Sequence, residues 1–297
     1  MKQITDRWAH VNGELVSEDD ASVSVSDRGF MYGDAAFETL RVYGGTPFRW
    51  DAHATRLAQT AQLLGFDGQI PSAENLRKRV TETLVANELT DAYVRLSVTR
   101  GVQPGKLTPD EQVNPTVVVI VKALPRGGIE GSRVWDEPAA IEIADTRRIP
   151  SEAVPARAKT HNYLNGILAR LELRETDADE ALLRSTDGFL TEGATSNLFF
   201  LKDGVLMTPT TELPLLPGVT RAVVCECAHE LDIPVETGRY TPAVLKQADA
   251  VFLTNSTWEI RPVTRVGERS LSVGDITKTL QNQFDERVER LYESTGF

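Results

Sequence analysis

The chain has 297 residues, with 32 basic and 43 acidic side chains and a formal net charge of −11. This balance argues against nucleic acids and anionic membrane surfaces as partners, because both require concentrated positive charge. No apolar run approaches the roughly 20 residues of a membrane span, and the amino terminus lacks a signal-peptide core. Two cysteines cannot build a disulfide framework, so we expect a cytoplasmic protein.

The basic residues are unevenly divided, because 8 are lysine and the other 24 are arginine. An acid-rich, lysine-poor surface suits high salt, where carboxylates stay hydrated and their repulsion is screened. A GC-rich genome would give the same bias towards arginine. The composition therefore favours a halophilic source and leaves simple compositional drift open.

The first half of the chain predicts mixed strands and helices. Runs rich in β-branched and aromatic residues predict strands at Ala36–Tyr43, Ala92–Thr99 and Pro115–Val121. Apolar residues recurring every three or four positions predict helices at Asp51–Leu64 and Ser72–Asn87, the second beginning with a serine cap.

A Gly-rich segment at 124–131 reads as a linker between a small domain, 1–123, and a larger domain, 132–297. Helices are predicted in the larger domain at Asn162–Glu175, Val219–Leu231 and Val273–Tyr292, and strands at Glu180–Leu183, Asn197–Leu201 and Ala250–Thr254. Asp203-Gly204 supplies a hairpin turn. The order of elements indicates an α+β fold rather than a doubly wound sheet.

Several common functional motifs are missing from the sequence. It contains no GxGxxG or GxxxxGK[ST] phosphate cradle and no GxSxG elbow. Cys225, Cys227 and His229 lie close together on a predicted helix, but Cys227 points away from the other two. Because a closed zinc site needs about four converging ligands, we expect ordinary helix packing here and no metal.

Lys159 lies in a mostly apolar segment just before a predicted helix. Burial can deprotonate a lysine amine, and a neutral amine is what Schiff-base chemistry requires. Downstream, Glu192 stands in an apolar stretch where a carboxylate needs a cationic partner, such as a protonated pyridine nitrogen.

Further residues could hold a phosphate group. Gly218, Val219 and Thr220 open a predicted helix whose free backbone N–H groups form an anion site. Ser256 follows a strand and could add a hydroxyl, while Arg56 could add a cation. Together with Lys159 and Glu192, these groups describe pyridoxal phosphate held at three points.

Six segments, in order along nearly the whole chain, carry a family resemblance: DRGFMYGDAAFETLR, HATRL, KTHNYLNGILAR, TEGATSNLFF, LPGVTR and FLTNSTWEIRPV. The sequence resembles the class IV (fold-type IV) pyridoxal-phosphate enzymes, which include branched-chain and D-amino-acid aminotransferases, R-selective amine transaminases and aminodeoxychorismate lyase. The resemblance implies a small α/β domain, a larger β-barrel-like domain with helices, and a homodimer or higher homo-oligomer.

The resemblance also implies roles for individual residues. Lys159 would form the Schiff base with the cofactor and carry the proton, and Glu192 would pair with the pyridine nitrogen. Tyr163 and Asn197 would bond near the phenolic oxygen. The implied phosphate contacts are Arg56, Gly218, Val219, Thr220 and Ser256.

The substrate-binding residues are predicted from strand alternation and from the family blocks. Alternation places Phe37 and Arg41 on one face of their strand, and Tyr93 and Arg95 on one face of theirs. The Tyr-x-Arg pair is similar to the pattern with which branched-chain aminotransferases bind a substrate carboxylate, for which arginine is suited. The expected substrate-binding set is Tyr32, Phe37, Arg41, Tyr93, Arg95, Thr257 and Trp258.

The reaction itself stays open between several members of this family. We expect a transaminase that moves the amino group of an L-amino acid, in particular a branched-chain one, to 2-oxoglutarate. FETLR and SNLF depart from the FEGIR and ENLF of branched-chain enzymes, so an aminodeoxychorismate lyase making 4-aminobenzoate and pyruvate is the alternative. A D-amino-acid or R-amine transaminase is a further alternative, although TRGVQPGKLTP lacks the Arg-x-His pair of the D-specific enzymes. A non-catalytic cofactor-binding protein conflicts with the intact Lys159 and Glu192.

Overall fold

The computed structural model describes residues 7–103, 105–125 and 137–295. These residues form two compact units. Residues 7–103, 105–125, 158–162 and 291–295 belong to the first, and residues 137–157 and 163–290 to the second. The domain boundary at residue 123 stays a prediction, and the predicted linker, 124–131, lies outside the described residues from 126 onward.

An antiparallel sheet is the framework of the first unit. Its strands are β1 (Trp8–Val11), β2 (Glu14–Ser17), β3 (Ala35–Tyr43), β4 (Thr46–Pro47), β5 (Ala92–Thr99) and β6 (Val117–Ala123). Among the described residues they lie in the order β2-β1-β6-β5-β3-β4. The strand predicted at Pro115 begins at Val117 instead, because proline has no N–H to donate to a ladder.

Three helices belong to the described part of the first unit: α1 (Arg28–Tyr32), α2 (Trp50–Leu63) and α3 (Ala73–Ala86). The predicted cap of α3 is confirmed, since the Ser72 hydroxyl accepts a bond from the Asn75 N–H at 3.2 Å. Leu40 and Val42 of β3 pack with Leu57 of α2 in the buried core. The sheet face that carries even-numbered β3 residues is therefore covered by helix.

The second unit contains a sheet that closes on itself. Its strands are β7 (Ala139–Arg147), β8 (Glu180–Arg184), β9 (Leu190–Gly193), β10 (Asn197–Lys202), β11 (Val205–Pro209), β12 (Val235–Gly238), β13 (Ala250–Asn255), β14 (Glu259–Val266) and β15 (Arg269–Ser270). Among the described residues, the order β10-β13-β14-β7-β8-β9 returns to β10 through the β9–β10 pairing. The expected α+β fold with a barrel-like second domain is confirmed.

Three more helices lie along the described remainder of the chain: α4 (Leu164–Leu171), α5 (Val219–Glu230) and α6 (Asp275–Thr295). The helix predicted over 162–175 is shorter, because Leu173, Arg174 and Thr176 donate to carbonyls three residues back and form turns. The Asp203-Gly204 hairpin is confirmed, with φ of 52° and 78° as a type I′ turn requires. Of the described helices, none has the length and hydropathy to cross a membrane.

Candidate active site

The backbone around Lys159 is held against the start of β3. The Phe37 N–H donates to the Lys159 carbonyl at 3.0 Å, and the His161 N–H donates to the Ala35 carbonyl at 3.2 Å. On its other side, the Lys159 N–H donates to the Thr60 hydroxyl of α2 at 3.1 Å. Strand β3 and helix α2 therefore fix the position of the half-buried Lys159.

The Phe37 ring gathers three nitrogen-bearing side chains, and we name Phe37, Arg95, Lys159 and His161 the Phe37 cluster. The Arg95 guanidinium carbon lies 4.0 Å from the ring centroid and Lys159 Nζ lies 4.5 Å from it. The His161 ring meets Phe37 edge to face at 5.5 Å. An amine and a guanidinium on one buried aromatic ring are an arrangement that can bind an amino acid.

His161 is neutral in this cluster. Burial and then the Arg95 charge lower the pKa of His161 to about 4. Its Nε2 lies 3.2 Å from the Ser97 hydroxyl. The cluster therefore has no imidazolium beside the Arg95 guanidinium.

The predicted strand alternation is present in the structure. Phe37 pairs with Ser97, Thr39 with Arg95, and Arg41 with Tyr93 across β3 and β5, so the Phe37, Arg41, Tyr93 and Arg95 side chains belong to one sheet face. Arg41 is buried, its guanidinium lies 4.9 Å from the Tyr43 ring, and it donates to the Pro125 carbonyl at 3.3 Å. Tyr32, 38% exposed, lies on α1 against the Arg28 guanidinium.

Arg56 takes part in a buried ion pair that the sequence motifs do not predict. Its Nε and Nη2 donate to the two carboxylate oxygens of Glu38 at 2.8 and 2.7 Å. His53 Nδ1 lies 2.7 Å from Glu38 Oε2. Burial alone would raise the pKa of Glu38, but the Arg56 charge and the bonds from Arg56 and His53 lower it to about 2.

Glu192 of β9 accepts hydrogen bonds from a side chain and from a backbone group of the second unit. Arg148 Nε donates to Glu192 Oε1 at 2.7 Å, and the Leu216 N–H donates to Oε2 at 2.9 Å. Arg148 is itself oriented by Asn165, whose side-chain oxygen accepts from Nη1 at 3.2 Å. Donors on both oxygens orient this carboxylate, which can face a further cation.

Asn197 and the start of α5 meet in the same region of the second unit. Asn197 is the register partner of Glu192, and its Nδ2 donates to the Leu216 carbonyl at 2.9 Å. Gly218 caps α5 without a side-chain bond, so the helix begins with uncapped N–H groups. A Cβ at Gly218 would lie 2.0 Å from Asn197 Oδ1, so the close approach requires glycine.

The other predicted residues of the second unit lie in short connections. Ser256, Thr257 and Trp258 form the turn between β13 and β14, where Asn255 Oδ1 accepts from the Thr257 and Trp258 N–H groups at 3.0 and 2.7 Å. Tyr163 is half-buried and immediately precedes α4, and its carbonyl accepts from the Ile167 N–H.

The available groups fit pyridoxal phosphate. The chain offers a half-buried lysine amine, an anionic carboxylate for a protonated ring nitrogen, and a glycine-capped helix start for a phosphate. Among the described residues, no group of three His, Cys, Asp or Glu side chains is placed to hold a metal ion.

Glu38, His53 and Arg148 are titratable residues that touch predicted ones or their partners and were not themselves predicted from the sequence. An acid inside the apolar strand run AAFETL was the available signal for Glu38, because a buried carboxylate needs a partner. The sequence did not show that the partners of Glu38 would come from the HATRL segment, 15 and 18 positions further along the chain. Arg148 lies 44 residues before Glu192 and carries no local signal.

Comparisons with known proteins agree with these observations. The model of the amino-transferase class IV family matches residues 35–266. A protein of Methanocaldococcus jannaschii, provisionally named a branched-chain-amino-acid aminotransferase, is 39% identical over 93% of this chain and 95% of its own length. The aminodeoxychorismate lyase of Bacillus subtilis is 31% identical over 97% of both chains.

Solved structures add the cofactor to this comparison. The branched-chain aminotransferase of Thermoproteus uzoniensis, solved with norvaline, has a TM-score of 0.87 at 29% identity and covers 97% of both chains. A second branched-chain amino acid aminotransferase, complexed with N-(5'-phosphopyridoxyl)-L-glutamate, has a TM-score of 0.87 at 28% identity and covers 98% of both chains. The predicted enzyme class and the predicted cofactor, pyridoxal 5'-phosphate, are confirmed. The chain belongs to the class IV aminotransferases, a family of pyridoxal-phosphate enzymes.

Proposed function

We propose that the protein is a transaminase that takes the amino group of an L-amino acid, in particular a branched-chain one, and passes it to 2-oxoglutarate. The observation that carries this proposal is the Phe37 cluster, where Lys159 Nζ and the Arg95 guanidinium lie 4.5 and 4.0 Å from one ring centroid. Lys159 suits the proton transfer at the α-carbon, and Arg95 suits the carboxylate. The apolar Phe37 ring suits an apolar substrate side chain.

The cofactor, when bound, supplies the electron sink for the bond changes at the α-carbon. Lys159 would bind its carbonyl carbon and move the proton, and Glu192 would hold the ring nitrogen protonated. Tyr163 and Asn197 would hydrogen-bond near the phenolic oxygen. Arg56, Gly218, Val219, Thr220 and Ser256 are assigned to the phosphate. The remaining predicted substrate residues, Tyr32, Arg41, Tyr93, Thr257 and Trp258, belong to the same proposal.

The first test is spectroscopic. Purified protein loaded with pyridoxal phosphate should show the visible absorption of a lysine Schiff base, and Lys159→Ala should abolish it. Lys246→Ala is the matched control, because Lys246 is an exposed lysine outside the assigned residues, and it should keep the band. A wild-type protein without the band contradicts the assignment of Lys159.

Half-reactions with single substrates test the donor and separate the alternatives. L-leucine, L-isoleucine or L-valine should convert the bound cofactor to its amino form, and 2-oxoglutarate should convert it back. Failure of all three donors contradicts the proposal. Conversion by D-alanine would instead support a D-specific enzyme, and pyruvate release from aminodeoxychorismate would support the lyase, in line with the relative from Bacillus subtilis.

A homodimer or higher homo-oligomer is part of the proposal. Helix α4 exposes Leu164, Ile167, Leu168 and Leu171 at 65, 51, 46 and 40%, and this spacing puts them on one helix face. An exposed apolar face of this kind suits a protein contact. Light scattering should report an oligomer for the wild type and a smaller species for Leu168→Glu, and equal masses would contradict a contact through α4.

The proposed location is the cytoplasm. Both cysteines, Cys225 and Cys227, are free thiols in the structure. Free thiols persist in a reducing compartment. Detection of the protein by fractionation of its source cells would test this location.

A further inference from the structure

We propose that His53 is a positioning residue: through Glu38 it fixes the guanidinium of Arg56 in the orientation that binds the cofactor phosphate. This inference rests on the proposed function, which assigns Arg56 to the phosphate. His53 itself does not touch the cofactor. It acts on the direction in which Arg56 presents its charge.

Glu38 occupies a position that would ordinarily be apolar. It is completely buried on β3. Its side chain lies on the same sheet face as Leu40, whereas the side chains of Phe37 and Thr39 lie on the opposite face. Leu40 packs in the core with α2. A carboxylate there persists only if its charge is paired and its oxygens are bonded.

Helix α2 supplies both side chains that bond Glu38, His53 and Arg56, from one of its faces. His53 and Arg56 are three residues apart and therefore neighbours on the helix surface. Thr60, four residues further on the same face, accepts the Lys159 N–H. One helix face thus joins the proposed phosphate arginine to the backbone of the proposed Schiff-base lysine.

The proton between His53 and Glu38 can be placed. Glu38 is an acceptor only, since its pKa is about 2, so His53 Nδ1 must be the donor in the 2.7 Å contact. Burial lowers the pKa of His53, and the charges of Arg56 and Lys159 lower it further, against the raising effect of Glu38. His53 is therefore a neutral imidazole with its proton on Nδ1.

The third donor on Glu38 goes beyond what charge pairing requires. Arg56 already bonds both oxygens through Nε and Nη2. The bond from His53 to Oε2 restrains rotation of the Glu38 carboxylate about its Cγ–Cδ bond. Because Arg56 bonds both oxygens of that carboxylate, the plane of its guanidinium is restrained as well. Precise orientation matters for a phosphate, which arginine binds through paired, directional N–H groups.

Two nearly isosteric substitutions isolate this bond. His53→Asn keeps a donor close to the position of Nδ1, whereas His53→Leu has a similar volume and no donor. The dissociation constants of pyridoxal phosphate and of pyridoxal, which lacks the phosphate, are measured for each apo-protein. We expect His53→Leu to weaken pyridoxal phosphate binding about tenfold, pyridoxal binding to change by less than about twofold, and His53→Asn to resemble the wild type.

The ratio of the two dissociation constants, for pyridoxal phosphate and for pyridoxal, distinguishes positioning of Arg56 from a general loss of structure. Equal weakening of both ligands by His53→Leu, or no weakening of either, would overturn the inference. If His53→Leu does not fold, nitrogen NMR of the wild type decides: a proton on Nε2 instead of Nδ1 would overturn it.

Arg56→Met separates this inference from the proposed function. If Arg56→Met leaves pyridoxal phosphate binding unchanged, the phosphate role of Arg56 is wrong and the inference is lost with it. If Arg56→Met weakens that binding and His53→Leu does not, the proposed function stands and only the role of His53 is wrong.

Discussion

Each unit of this protein contains a glutamate bonded to an arginine at 2.7 Å, but the two pairs differ in burial. In the first unit, the side chains of Glu38 and Arg56 are 1% and 9% exposed. In the second unit, those of Glu192 and Arg148 are 10% and 22% exposed. The donors also differ. Both oxygens of Glu38 accept from side chains, whereas the second oxygen of Glu192 accepts from the Leu216 backbone N–H.

The comparison shows that bond length alone does not give the energetic role of an ion pair. Two charges taken fully out of water cost several kcal/mol each, and breaking such a pair strands one of them. An ion pair exposed to solvent contributes about 0–1 kcal/mol, and the Glu192 pair, which retains some solvent contact, lies between these two cases. We therefore expect the Glu38 pair to govern folding stability and the Glu192 pair to govern chemistry.

The largest expected effect is on the Glu38 pair. Glu38→Gln keeps the shape but leaves the Arg56 charge buried without its counter-ion, so the free energy of unfolding should fall by about 3–5 kcal/mol. Urea unfolding followed by circular dichroism measures this change. Glu192→Gln is the matched control and should lower it by less than Glu38→Gln does, because the Glu192 pair retains some solvent contact. Equal losses in the two variants would remove the distinction between the pairs.

A smaller effect is expected at Arg148, and on activity rather than stability. Arg148→Met removes the charge-assisted bond that holds Glu192 Oε1, so the rate of the half-reaction should fall about tenfold. The free energy of unfolding should fall by less than in Glu38→Gln, because the Glu192 pair retains some solvent contact. Stopped-flow absorbance and urea unfolding give the two quantities. A stability loss as large as that of Glu38→Gln would contradict the comparison.

The smallest expected effect is the pH dependence of the Glu38 pair. The folded state lowers the pKa of Glu38 from 4.5 to about 2, so its contribution is complete above pH 4.5 and is lost as the pH falls towards 2. Between about pH 6 and about pH 3.5 the wild type should lose about 1 kcal/mol of unfolding free energy that Glu38→Gln does not lose. Parallel pH curves for the two proteins would show that Glu38 is not the titrating group.

Local patterns in the sequence were sufficient for β3, β5, β6, α2 and α3 of the first unit, but they did not predict β1, β2, β4 or α1. The run Ala92–Thr99 coincides with β5, because alternating β-branched and aromatic residues specify a strand without distant information. The start of α3 follows from its serine cap. The segments around Lys159 and Glu192 identified the cofactor and the enzyme family, since the residue types themselves carry that chemistry.

Tertiary structure decided which charged residues pair with one another, because the partners are far apart along the chain. Glu38 bonds residues 15 and 18 positions away, and Arg148 reaches Glu192 across 44 positions. Contacts at these separations depend on how strands pair and on which helix covers which face, and periodicity within a segment cannot show either. The sequence by itself determined the longer strands and helices of the first unit and the family, and it singled out Lys159 as the candidate Schiff-base lysine. Only the folded chain determined that Arg56 is paired with Glu38, that β9 closes on β10, and that Glu192 is held by Arg148.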